Sequence, residues 1–164
     1  LVLDVDGVLT RGEIVYDSQG RELKVFNVKD GLGVFLLGRA GIPTVILTAK
    51  DSAIVRRRAK DMRVAGVIGG VLPKESVLPR LAARYRVKAD DICFIGDDLI
   101  DIGLLKKVGL PVAPADAPAL VKGAVQYVTR ACGGQGAVRE VVDQIIEAQG
   151  LFGKIEYFLK NPRR

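Results

Sequence analysis

The chain has 164 residues, a net charge of +6, 49% apolar and 5% aromatic residues, and no histidine. The missing histidine excludes Ser-His-Asp triads, His-ligated zinc and His general bases, leaving acid–base work to carboxylates, Lys, Tyr or Cys. The only dense basic cluster is Arg56-Arg57-Arg58, and a nucleic-acid partner is excluded for want of a basic stripe with stacking aromatics.

Short apolar runs alternate with longer helix-patterned segments. Leu1 to Val5 is predicted as the first strand. Ile14-Val15-Tyr16 and Glu22 to Phe26, separated by the turn formers Asp17-Ser18-Gln19-Gly20, are predicted as a β-hairpin spanning about 14–26. Helices are expected over Asp30 to Arg39, closed by Gly41 and Pro43, and over Ser52 to Met62, with a strand at Thr44 to Leu47 between them. Val67-Ile68 is a short strand. Glu75 to Tyr85 is a third helix that Pro79 is expected to kink. Ile92 to Ile95 is a strong strand, Leu99 to Val108 a short helix, Pro111 to Ala113 a strand and Ala137 to Ala148 a closing helix. In the tail 151–164, the spacing of Leu151, Ile155, Phe158 and Leu159 predicts an amphipathic helix.

This order predicts an α/β fold: a doubly wound, mostly parallel, Rossmann-like sheet with a β-hairpin insertion and no cap domain. Length predicts one domain over 1–164. Only three residues precede Asp4, so the native chain is expected to extend ahead of Leu1. No apolar run is long enough for a membrane span and no secretory signal is visible, so no membrane partner is expected. Cys93 and Cys132 fit neither a disulfide framework nor a zinc spacing, which points to a reduced, cytoplasmic setting.

Polar residues gather just past predicted strand ends, where open α/β sheets place their ligands: Asp4 and Asp6, then Thr48, then Lys74, then Asp97, Asp98 and Asp101. So many carboxylates in one crevice raise one another's pKa and call for a hard divalent cation with oxygen ligands, Mg²⁺. The set supplies what phosphoryl transfer needs. Asp4 is the expected nucleophile, forming an aspartyl phosphate. Asp6 is the expected acid and base. Thr48 would donate to a phosphoryl oxygen and Lys74 would neutralise charge. Asp4, Asp6 and Asp97 are the expected metal ligands, with Asp98 and Asp101 completing or orienting them. Arg130, after a predicted strand, and Arg139 are expected to contact substrate anions.

Each element alone has a plainer reading as a turn former, helix cap or surface lysine; their joint order carries the signal. With these residues the chain resembles the haloacid dehalogenase superfamily of phosphatases, whose four motifs match Asp4/Asp6, Thr48, Lys74 and Asp97/Asp98/Asp101. Within it, Phe26 to Gly31, Gly96 to Asp101, Val108 to Leu110, Ala115 to Ala117, Tyr127 to Arg130 and Gly133 to Glu140 resemble the capless 3-deoxy-D-manno-octulosonate 8-phosphate phosphatases. The resemblance implies a Mg²⁺-dependent phosphatase of lipopolysaccharide biosynthesis acting on an anionic sugar phosphate. It also implies substrate contacts at Lys29, Asp30, Gly31 and Lys50, and a homotetramer built through the hairpin 14–26, which lies over a neighbour's site. Short spacings from Asp6 to Thr48 and from Lys74 to Asp97 independently leave no room for a cap.

Ala49-Lys50 stands where the family usually has Gly-Arg, and Lys29 where it more often has arginine; lysine lacks the planar fork that suits a carboxylate. A nine-carbon keto-acid 9-phosphate of the KDN or sialic-acid type is therefore the alternative substrate. A non-catalytic oligomerisation module is a further alternative, opposed by the intact Asp4, Asp6, Lys74 and Asp97. A signalling receiver domain is opposed by motif order, because the acidic pair comes last here.

Overall fold

The central strands are short and apolar on both faces, as a sheet covered by helices on both sides requires. The computed structural model describes residues 1–161. In chain order they form β1 (Val2–Leu3), β2 (Val15–Tyr16), β3 (Glu22–Leu23), α1 (Val28–Arg39), β4 (Val45–Thr48), α2 (Ala53–Met62), β5 (Gly66–Gly69) and α3 (Leu78–Tyr85). There follow β6 (Cys93–Ile95), α4 (Ile102–Leu105), β7 (Leu110–Ala113), α5 (Ala119–Lys122), β8 (Tyr127–Val128), α6 (Ala137–Ala148) and α7 (Phe152–Lys160).

The main sheet has six strands in the order β5-β4-β1-β6-β7-β8. All its pairings are parallel, with Leu3 opposite Ile46 on one side and Ile95 on the other. The chain moves outward from β1 through β4 and β5, then returns to lay β6 against the other edge of β1. The carboxyl ends of β1 and β6 therefore adjoin at the point where winding reverses, the place such sheets keep for ligands.

Period-two alternation sends Leu3, Ile46 and Ile95 into one core with Val34 and Leu37 of α1, Val55 and Met62 of α2, and Val141 of α6. Val2, Val45, Leu47 and Phe94 face the other core, against Leu81 of α3, Leu104 and Leu105 of α4, and Val121 of α5. No cap domain is present among the described residues, in keeping with the expected fold class.

Three local differences from the sequence reading have clear causes. The expected first strand shrinks to Val2–Leu3 because the chain turns at once: the N–H groups of Val8, Leu9 and Thr10 all donate to the Val5 carbonyl (3.2, 2.9 and 3.0 Å). The expected third helix divides into a 3-10 turn at Lys74–Val77 and then α3, so Pro79 falls in the first turn of α3. There its missing N–H costs nothing, and no kink is needed. The helix expected over Leu99 to Val108 likewise divides into a 3-10 turn at Leu99–Asp101 and the short α4. The tail helix forms as α7, with Ile155 buried and Phe158 edge-on to Phe35 (ring centroids 5.6 Å apart), while Leu159 is exposed. Positions 162–164 of the expected tail lie outside the described residues.

The hairpin pairs Val15 with Leu23 and Tyr16 with Glu22. Its two rows differ in character. Along β3 and the residues just after it, Leu23 and Val25 are exposed whereas the Glu22 and Lys24 side chains turn towards the body and are mostly covered; Ile14, Val15 and Tyr16 on the facing strand are all exposed.

Candidate active site

Asp4 leaves β1 while its N–H still donates to the Ile95 carbonyl of β6 (3.0 Å), so its carboxylate stands at the reversal point and is buried. Lys74, just before α3, reaches the same place with its side chain fully buried. Its ammonium lies 2.8 Å from Asp4 Oδ2 and 2.6 Å from Asp101 Oδ1. Burial opposes the charged form of Lys74, but Asp4 and Asp101 outweigh it and hold its pKa above the usual lysine value.

Asp101 is a buried organiser. Its Oδ2 accepts from the N–H groups of Asp97 (3.0 Å) and Asp98 (3.1 Å), shaping the loop after β6, and its Oδ1 faces Lys74. Asp98 is exposed and caps the 3-10 turn by accepting from Leu99 N–H at 2.7 Å. Asp4, Asp97 and Asp101 each present a carboxylate oxygen, all within 4.8 Å of one another. Thr48 is buried at the end of β4; its Oγ1 accepts from Lys50 N–H at 3.2 Å and keeps its own proton for another acceptor. Asp6 does not join the carboxylate cluster: its side chain contacts the Lys24 ammonium of the hairpin.

A buried carboxylate, a buried ammonium, a hydroxyl and a cluster of carboxylate oxygens thus converge at one sheet end. Residues 63–140 match the family of haloacid dehalogenase-like hydrolases. The 3-deoxy-D-manno-octulosonate 8-phosphate phosphatase of Haemophilus influenzae is 41% identical over 164 residues, covering 98% of this chain and 91% of that protein. The chain belongs to that phosphatase family. The structure of the Moraxella catarrhalis phosphatase, in complex with magnesium ion, phosphate ion and KDO, matches with a TM-score of 0.90 at 35% identity, over 96% of this chain and 91% of that one. The cobalt-bound form of the H. influenzae phosphatase matches with a TM-score of 0.86 at 42% identity, over 91% and 87% of the two chains.

In this phosphatase the donor set suits a hard divalent cation. Asp97 Oδ1 is buried without a hydrogen-bond partner among the described residues, an arrangement that is costly unless a ligand meets it. Burial first, then the charges of Asp4, Asp101 and Asp98, pushes Asp97 up to about 7. Burial pushes Asp4 up to about 6 against the pull of Lys74. Both values exceed the ordinary 3.8, so ionising these groups destabilises the metal-free fold, which loses stability as pH rises through that window. Cation binding requires the ionised forms. The thermal shift produced by Mg²⁺ is accordingly expected to be small at about pH 5 and to grow through about pH 7. Melting curves with and without Mg²⁺ across this range check it; an equal shift throughout contradicts it.

The residues expected to contact substrate differ in exposure and in partners. Lys29 is exposed in the first turn of α1. Asp30 is buried, and its carboxylate accepts from Arg139 N–H (2.8 Å) and Gly136 N–H (3.3 Å), so it anchors the start of α6 instead of facing the crevice. Gly31 is buried where a Cβ would collide with the Arg58 guanidinium, a packing constraint. Lys50 is exposed and bonds Glu22 of the hairpin at 2.7 Å. The Arg130 guanidinium is exposed, 3.5 Å from Glu140, and Arg139 pairs with Asp143 at 2.7 Å.

Other contributors were not singled out from the sequence. Gly7 has φ +86°, and a Cβ there would collide with the Asp97 carboxylate. A Cβ on Gly133 would meet the Gly7 carbonyl, and Gly133 N–H is held by Asp116 at 2.9 Å. The glycine loop before α6 thereby braces the loop that carries Asp4 and Asp6. Lys24 had one available signal: in a strand its period-two partner is Glu22, opposite in facing to Leu23 and Val25.

Proposed function

We propose that this phosphatase hydrolyses 3-deoxy-D-manno-octulosonate 8-phosphate through an aspartyl phosphate on Asp4. The observation that carries the reading is the buried Asp4 carboxylate, 2.8 Å from Lys74 and clustered with Asp97 and Asp101 at the sheet's reversal point. Asp4 attacks phosphorus while the bond to the sugar oxygen breaks, and Asp6 gives that oxygen its proton. Asp6 then takes a proton from a water molecule that attacks the aspartyl phosphate, releasing inorganic phosphate and restoring Asp4. Thr48 donates to a phosphoryl oxygen and Lys74 offsets its charge. Asp4, Asp97 and Asp101 are the residues that would hold Mg²⁺, with Asp6 and Asp98 nearby in sequence, and the ion would supply neutralisation of the phosphate's negative charge.

The substrate follows from the 41% identical H. influenzae phosphatase and from KDO bound in the M. catarrhalis structure. Lys29, Lys50, Arg130 and Arg139 are the cations proposed to meet its carboxylate, with Asp30 and Gly31 shaping the backbone they stand on. The chain acts as one domain over 1–164, in a cytoplasmic setting. No helix among the described residues is long and apolar enough to cross a membrane. Exposed Ile14, Val15, Tyr16, Leu23 and Val25 support assembly of a homotetramer through the hairpin.

Phosphate release from the eight-carbon substrate, a nine-carbon keto-acid 9-phosphate and a hexose phosphate, with and without chelator, tests the reading. The expected result is chelator-sensitive release with kcat/KM favouring the eight-carbon ester by on the order of 10-fold to 100-fold. Faster release from the nine-carbon ester would reassign the substrate. Release from none would overturn the proposal.

A further inference from the structure

A long cation buried beside a catalytic loop needs a reason, because covering it costs solvation and side-chain freedom. The Lys24 side chain is only 4% exposed, although it belongs to a hairpin whose other row is open to solvent. Its ammonium meets two carboxylates, Asp6 on the loop after β1 and Glu22 Oε1 at 3.0 Å. Glu22 Oε2 in turn holds Lys50 at 2.7 Å. The result is a line of alternating charge, Asp6, Lys24, Glu22, Lys50, that ties the loop after β1 to the loop after β4 by way of β3. Burial works against the Lys24 charge, yet Asp6 and Glu22 outweigh it and its pKa is raised. Glu22 is correspondingly lowered by Lys50 and Lys24.

The same contacts explain a separation seen at the site. Asp6 is two residues from Asp4, in the turn that follows β1, and only Asp4, Asp97 and Asp101 form the cation-ready cluster. The Asp6 carboxylate is instead drawn towards the hairpin, with its side chain 42% exposed.

We infer that Lys24 is a positioning residue: it holds Asp6 out of the metal-ligating cluster and over the leaving-group side of the crevice, and its ammonium stabilises the carboxylate left behind when the acid form of Asp6 passes its proton to the sugar oxygen as the P–O bond breaks. This rests on the role given to Asp6 above. Glu22 pins the ammonium, so that Lys24 has one place to stand and Asp6 one place to reach. The hairpin therefore takes part in the first chemical step while contributing no group that touches phosphorus.

The test separates proton donation from general damage by changing the leaving group. Single-turnover release of the leaving group isolates the first step. It is measured with the sugar phosphate, whose alkoxide needs a proton, and with p-nitrophenyl phosphate, whose phenolate does not. Lys24→Met is expected to slow the sugar phosphate by on the order of 100-fold and p-nitrophenyl phosphate by no more than about threefold. Lys24→Arg should recover most of the lost rate. Combining Lys24→Met with Asp6→Ala should add little to the loss caused by Asp6→Ala alone. Mg²⁺ binding by calorimetry should survive in Lys24→Met.

Equal losses on both substrates, a raised KM at unchanged kcat, or lost Mg²⁺ binding would each overturn the inference. The first and last would mark Lys24 as structural and the second as a substrate contact. If Asp6→Ala itself slows both substrates equally, the role of Asp6 fails; if Asp6→Ala shows the leaving-group dependence and Lys24→Met does not, only the inference about Lys24 fails.

Discussion

Asp4→Asn is expected to abolish turnover, lowering phosphate release by on the order of 10⁴-fold or more, the scale on which removal of a nucleophile acts. The amide matches the carboxylate in shape but cannot displace the sugar oxygen. Its effect on folding has the opposite sign. Burial raises Asp4 to about 6, so above that pH the ionised group is held in a fold that favours its neutral form. In metal-free buffer at about pH 7.5, Asp4→Asn should therefore melt no lower than the native protein. Loss of activity with an unchanged or raised melting temperature ties the loss to chemistry; substantial turnover by the variant would remove Asp4 from the mechanism.

Lys74→Met is expected to damage both activity and stability. The methionine can fill much of the space, but Asp4 and Asp101 lose the charge that stands 2.8 and 2.6 Å from them in a fully enclosed setting. Removing one partner of a buried ion pair costs about 3 to 5 kcal/mol. Without the ammonium, Asp4 loses its main stabilising charge and rises further above its ordinary value. A carboxylate raised in the folded state binds more protons folded than unfolded, so the variant's stability deficit should shrink as pH falls below about 6 and widen above it. Urea unfolding at about pH 5 and pH 8 measures this, and a deficit independent of pH would contradict it. Activity should fall at least 100-fold, because the incoming phosphate loses a fixed cation as well.

Much of this arrangement could be read from the chain. Asp4, Thr48 and Asp97 directly follow apolar strands, and Lys74 follows a proline ahead of a helical pattern, so local order sufficed to place all four at one sheet end. The two cores were legible for the same reason, since alternation along Val45 to Leu47 and Cys93 to Ile95 assigns each side chain a face. What escaped was set by distant partners. Asp30, named as a substrate contact through the resemblance, has both carboxylate oxygens taken by the backbone N–H groups of Gly136 and Arg139 at the start of α6. Asp6 was expected on the same side as Asp4 by alternation, but β1 ends at Leu3 and Asp6 lies in the turn that follows. Its actual neighbour, Lys24, arrives by the fold-back of the hairpin, which no local spacing encodes. The short α5 between Pro118 and Gly123 had too few residues to show a period.

The hairpin's alternation also bears on how such a sequence can change over time. One row carries Leu23 and Val25 outward, the other Glu22 and Lys24 inward. Deleting or inserting a single residue ahead of Glu22 would exchange the rows, exposing both charges and driving two apolar side chains against Asp6. A change of two residues would restore the facing and alter only the length of the turn. Length variation in this segment should therefore be tolerated in even steps and purged in odd ones, a parity rule that the turn Asp17–Gly20 would record.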